Sequence, residues 1–140
     1  MSSFWFGWLR VWSITMALFG LILALAAFPA TDGPTRVIMG LVGHEGWLAF
    51  TPELRFAFAL MGALTIGWVL TMWPLMNVAR DHPDAAPALW RGLTVALLLW
   101  YLLDSGLSVA LGYAGNAVSN SLLMIGYLVP MMATAAWQRR

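Results

Sequence analysis

Asp104 lies well inside an apolar run over residues 91–113, RGLTVALLLWYLLDSGLSVALGY. The run is long enough to cross a bilayer, and an ionisable group at membrane depth is costly unless it faces protein or water. Ser105 stands beside the carboxyl, and Ser108 lies one helical turn further along the same face. Asp104 comes nine residues before Tyr113, so it sits roughly 13 Å below that end of the run at about 1.5 Å per residue. Arg55 begins a little inside the same end of another apolar run and can point inward. Asn116 and Asn120 sit one turn apart at the start of a third. Polar groups from three segments therefore converge on one half of a helical bundle.

Two uses of these groups follow. In the first, Asp104 pairs with Arg55, or bonds to its Asn and Ser neighbours, and fixes helix register. Interhelical polar contacts commonly do this, at about 0.6 kcal/mol each on average. In the second, Asp104, Arg55, Ser108, Asn116 and Asn120 line a ligand or proton site, with Trp100 and Tyr127 as apolar walls. In one form of the first use, Asp104 is held by Asn116, Asn120 and Ser108 instead of Arg55.

Other chemistry finds little footing. There is no Cys, which removes disulfides, thiol relays, thiolate metal sites and a Cys nucleophile. His44 and His82 fall in loops expected on opposite faces of the membrane, so they cannot share a metal or haem within one subunit. No metal site or cofactor is expected. No P-loop, GxSxG, dinucleotide fingerprint or HExxH occurs. Net charge is +1 and every basic residue is Arg, so nothing points to a nucleic-acid partner.

The elements that must position these groups are membrane spans. Of 140 residues, 61% are hydrophobic and 9% charged, against roughly 25% charged in a soluble domain. One domain of four spans is expected, at about 4–28, 52–78, 88–113 and 116–137. The first contains Ala24-Leu25-Ala26, a small-x-small pattern like a signal-peptide cleavage site. Its apolar run is much longer than the usual core of about 7–15 residues, so it reads as a retained helix. Trp5, Trp8 and Trp12 read as an interfacial belt, with Arg10 snorkelling between them. Gly20 and Ala24 permit close helix approach, and Pro29 ends the span.

Between the first two spans, Asp32-Gly33-Pro34 reads as a turn. Val37, Ile38, Leu41 and Val42 then recur at helical spacing, which predicts a short amphipathic helix on the membrane or across the bundle end. His44, Glu45 and Trp47 follow it. Thr51-Pro52-Glu53 opens the second span with Thr51 as N-cap and Pro52 at the first position. Ala59, Ala63 and Gly67 form a small-residue stripe that reads as its packing face. Pro74 is a candidate kink. Residues 77–87 read as a polar loop, and Ala114-Gly115 as the tight link between spans three and four. Arg10, Arg80, Arg91, Arg139 and Arg140 gather on one side, against Arg36 and Arg55 on the other. By the positive-inside rule both termini are expected in the cytoplasm.

This layout resembles the DoxX-like group of small bacterial four-helix membrane proteins. The resemblance rests on Pro29, the amphipathic connection, the Arg55-led second span with Gly62 and Gly67, and the pattern Asp104-Ser105…Gly112…Asn116…Asn120. It implies a bundle topology and residence in a bacterial inner membrane, and carries over no catalytic residues.

The functional expectation is a non-enzymatic accessory or scaffold subunit packing against another membrane protein or a second copy of itself. The alternative is a protein that binds or transports a small apolar or amphipathic molecule, such as a lipid, quinone or pigment, at Asp104. A membrane enzyme using Asp104 as acid or base ranks last, because only Arg55, Ser108 or the Asn pair could serve as its second group.

Overall fold

Four long helices and one short one account for nearly all of the computed structural model, which describes residues 1–42 and 49–138. They are α1 (Ser3–Leu25), α2 (Gly33–Leu41), α3 (Pro52–Asp81), α4 (Ala86–Ala110) and α5 (Ala114–Thr134). All but α2 are long and apolar enough to cross a membrane. The fold is an all-α, four-helix arrangement with the short α2 between the first two spans, that of a multi-pass membrane protein. His44, Glu45, Trp47, Arg139 and Arg140 lie outside the described residues.

Around the bundle the order is α1, α3, α4, α5, with α5 closing back onto α1. Lipid tails are as apolar as Leu, so burying apolar side chains does not itself drive these helices together; close packing and hydrogen bonds do. The tightest pair is α1 with α3, and its contact point is Gly62. A Cβ there would collide with the backbone of Gly20 and Ala24. The expected stripe of Ala59, Ala63 and Gly67 is therefore not the packing face: Ala63 and Gly67 are exposed, and nothing lies within 4 Å of a Cβ placed on Gly67. The α1 pair Gly20 and Ala24 does sit at the crossing, as its spacing predicts.

The main core lies toward the chain termini and draws on all four spans, with Leu9, Trp12, Met72, Trp90, Leu97, Tyr127 and Met131 among its buried residues. At the other end, hereafter the outer end, a second core of Leu23, Ala26 and Phe58 involves only α1 and α3, with Phe50 and Met39 packed on it. The backbone of Val42, just past α2, lies against Gly115 at the start of α5. The two helix pairs thus share one core at the inner end, while α2 links them across the outer end.

Several boundaries move from their expected places. α3 continues through Asn77 to Asp81, so most of the expected polar loop is helix and only residues 82–85 connect to α4. Buried Met76 and Ala79 extend the apolar stripe that far. The helix stops where His82 precedes Pro83, which disfavours helical backbone. Pro74 is accommodated inside α3. The hairpin turn is residues 111–113, not Ala114-Gly115. Gly112 takes φ +87°, and the amides of Gly112 and Tyr113 donate to the carbonyls of Val109 and Ser108, a Schellman ending that suits a residue without Cβ.

The tryptophans also depart from a simple belt. Trp12 and Trp90 are buried in the core. The indole Nε1 of Trp12 donates to the carbonyl of Leu123 at 2.9 Å, and that of Trp8 to Gly126 at 2.7 Å. The second bond has a covalent cause. Pro130 lies inside α5 and has no N–H, so the Gly126 carbonyl four residues earlier lacks its helical donor, and Trp8 supplies one from α1.

Candidate functional site

A ladder of polar pairs runs along the α4–α5 interface. From the inner end, Thr94 and Tyr127 share a hydrogen bond of 3.0 Å between hydroxyls, and Tyr101 and Ser121 share one of 2.9 Å. Asn120 then donates to Ser105 at 3.4 Å. At the outermost rung, the Asn116 amide donates to Ser108 Oγ at 2.8 Å and to Asp104 Oδ1 at 3.1 Å, while Ser108 donates to the same Oδ1 at 3.3 Å. Helical spacing builds this rung: Asp104 and Ser108 are one turn apart on α4, and the short Gly112 turn brings the first turn of α5 alongside.

Asp104 shares its face of α4 with buried Leu97 and Ser108, at i−7 and i+4, but is itself only half-buried. Both of its hydrogen bonds end on Oδ1. Among the described residues Oδ2 accepts none, and no buried side-chain polar atom lacks a partner, so Oδ2 is open to the bundle surface. No cation among the described residues forms an ion pair with Asp104.

Arg55 goes elsewhere. Its Nη2 meets Asp32 Oδ2 at 2.7 Å and its Nη1 donates to the Ala26 carbonyl at 3.0 Å. Arg36, one turn beyond Asp32, grips both carboxylate oxygens at 2.9 Å each. The Phe50 ring lies 4.0 Å from the Arg36 guanidinium carbon and 5.4 Å from that of Arg55. The Arg36 hydrogen bonds, seconded by those of Arg55, hold the Asp32 carboxyl down at a pKa of about 2. The expected Arg55–Asp104 pair is therefore absent. Asp32 stands at the start of α2, on the same corner of the bundle as Arg55, and takes the guanidinium first.

The remaining expected site residues divide. Ser108 and Asn116 hold Asp104, while Asn120 is one turn below on Ser105. Trp100 lies one turn inward on α4 and packs on Trp68, ring centroids 5.7 Å apart. Tyr127 is buried in the inner core against Trp12, far along α5 from Asn116, and is no wall of the same site. The sequence reading missed Asp32, Arg36 and Phe50. The Asp32–Arg36 spacing of four, which suits an ion pair on one helical turn, was the available signal.

Chemically, the arrangement offers one acidic acceptor with fixed orientation and an accessible oxygen. Among the described residues no group of three His, Asp or Glu side chains could hold a metal ion. No family model matches the chain, and no curated protein or solved structure matches it.

Proposed function

We propose that the protein is a non-enzymatic accessory or scaffold subunit of the bacterial cytoplasmic membrane that docks another membrane protein at the outer half of α4. The observation that carries this reading is the open Oδ2 of Asp104. A carboxylate oxygen on a short side chain six residues, about 9 Å at about 1.5 Å per residue, inside the outer end of α4 lies within an apolar span, and an unmet polar group there is costly. A donor from a neighbouring helix, cationic or neutral, removes that cost. Leu107 and Leu111, three and seven residues beyond Asp104, are exposed and supply an apolar strip beside it.

Both termini are cytoplasmic in this reading, supported by the Arg distribution, and the likeness to the DoxX-like group supports bacterial residence. A single Cys replacing Asp84, in the α3–α4 turn, is then labelled by impermeant reagents only from the cytoplasmic side; labelling from outside reverses the orientation.

Docking is tested by purification in mild detergent, comparing the wild type with Asp104→Asn. Asparagine keeps an acceptor for Ser108 and Asn116 but removes the anionic oxygen. The expected result is a co-purifying membrane protein that the variant loses while its melting temperature stays near that of the wild type. A wild type recovered only as free monomer contradicts the proposal. The second reading, a small amphipathic ligand at the same oxygen, is favoured by the polar lining from Ser105, Ser108 and Asn120. It predicts a lipid, quinone or pigment in place of the protein.

A further inference from the structure

Two adjoining cavities open at the inner end, where α1 and α3 meet, and share Arg10 as their common wall. One, of about 290 Å³, is bounded by Ile14, Trp73, Met76 and Asn77. The other, of about 310 Å³, is bounded by Ser3, Phe6, Gly7 and Arg80. The first is mainly apolar and leads along the helices toward the membrane interior. The second is more polar and lies at the helix ends.

The charges in the second cavity are poorly compensated. Among the described residues no carboxylate pairs with Arg10; its only side-chain bond is to the Asn77 amide oxygen at 3.4 Å, which aims the guanidinium between the cavities. Arg80 meets Asp81 at 3.0 Å, but both are exposed, and a pair of that kind contributes little. Arg80 also lies 5.9 Å over the Phe6 ring. Arg10 is about two turns into α1, near 10 Å from its start at about 1.5 Å per residue, and its long side chain can snorkel toward the headgroups.

We infer that this is a binding site for an anionic phospholipid of the leaflet nearest the chain termini. The phosphate sits between Arg10 and Arg80, whose guanidiniums match it bidentately, and an acyl chain descends past Ile14, Trp73 and Met76. Charge decides the occupant: a zwitterionic lipid brings its own headgroup cation to a cavity that already holds two guanidiniums, whereas an anionic one brings only the negative charge. This site is independent of the docking surface at Asp104, on a different helix pair at the opposite end.

The test is native mass spectrometry of the detergent-purified protein equilibrated with equal amounts of phosphatidylglycerol and phosphatidylcholine. The wild type is expected to retain phosphatidylglycerol preferentially. Arg10→Gln and Arg80→Gln each lower that preference about fivefold, the factor that about 1 kcal/mol represents. Gly7→Leu keeps every charge, and nothing lies within 4 Å of a Cβ placed there; its side chain is expected to fill the second cavity and abolish retention. Arg91→Gln, the same charge change at the same end on α4, leaves the preference intact. Equal retention of the two lipids by the wild type overturns the site. So does retention by Gly7→Leu, or a loss in Arg91→Gln as large as in Arg10→Gln.

Discussion

Asp32 and Asp104 are both acidic groups at the outer end of the bundle, and their surroundings differ in kind. Asp32 is buried, both of its oxygens are filled, and two guanidiniums balance its charge. Asp104 is half-buried, has one oxygen held by neutral donors, and has no cation beside it among the described residues. The first is closed and ties α1, α2 and α3 into one corner. The second leaves an acceptor unspent on the α4–α5 side. The closed ion cluster accounts for stability at its corner, whereas the open acceptor at Asp104 is the feature on which the docking proposal rests.

The sharpest way to break the comparison is to open the closed corner. Arg55→Leu removes one of the two cations on Asp32, together with the bond to the Ala26 carbonyl, and is expected to lower the detergent melting temperature more than any other single change considered. The same corner predicts an acid limb. The Asp32 pKa is lowered from 3.8 to about 2 in the folded protein. Its stabilisation is therefore complete above 3.8 and is lost as pH falls through about 2. Asp32→Asn should flatten that limb of a melting-temperature titration; an unchanged limb assigns it to other carboxyls.

The next effect sharpens the helix pairing beneath the corner. Gly62→Ala drives a methyl into the backbone of Ala24 and Gly20 and should cost about 1–3 kcal/mol through overpacking. Gly67→Ala, on the open side of the same helix, should gain up to about 1 kcal/mol, because glycine is a poor helix residue. Thermal or denaturant unfolding in detergent reads both, and equal effects would return the packing face to the Ala59–Ala63–Gly67 stripe.

The spans and the short α2 are legible in the sequence because long apolar runs and helical periodicity are properties of a segment by itself. The contact between Asp104 and Ser108 is legible for the same reason, being one turn of one helix. The partner of Arg55 is not, because it depends on how the connection folds back over α1. Asp32 announces a turn through its Gly33-Pro34 neighbours, and that local signal hides its use as an anion. The packing face of α3 is hidden too. Gly62 and the Ala59 stripe are both small, and only the position of Gly20 and Ala24 on α1 decides between them. Trp8 and Trp12 read as interface anchors until the carbonyls of α5, one of them freed by Pro130, are placed beside them.

The division between the two carboxyls is tested most directly by two double-mutant cycles read as unfolding free energies in detergent. In the cycle of Asp32→Asn with Arg55→Leu, the two changes remove the same contact and should be clearly non-additive. In the cycle of Asp104→Asn with Arg55→Leu, they should add to within about 0.5 kcal/mol, as independent sites do. Coupling of more than about 1 kcal/mol in the second cycle, with the double variant recovering stability, would place Arg55 on Asp104 and close the acceptor on which the docking proposal rests.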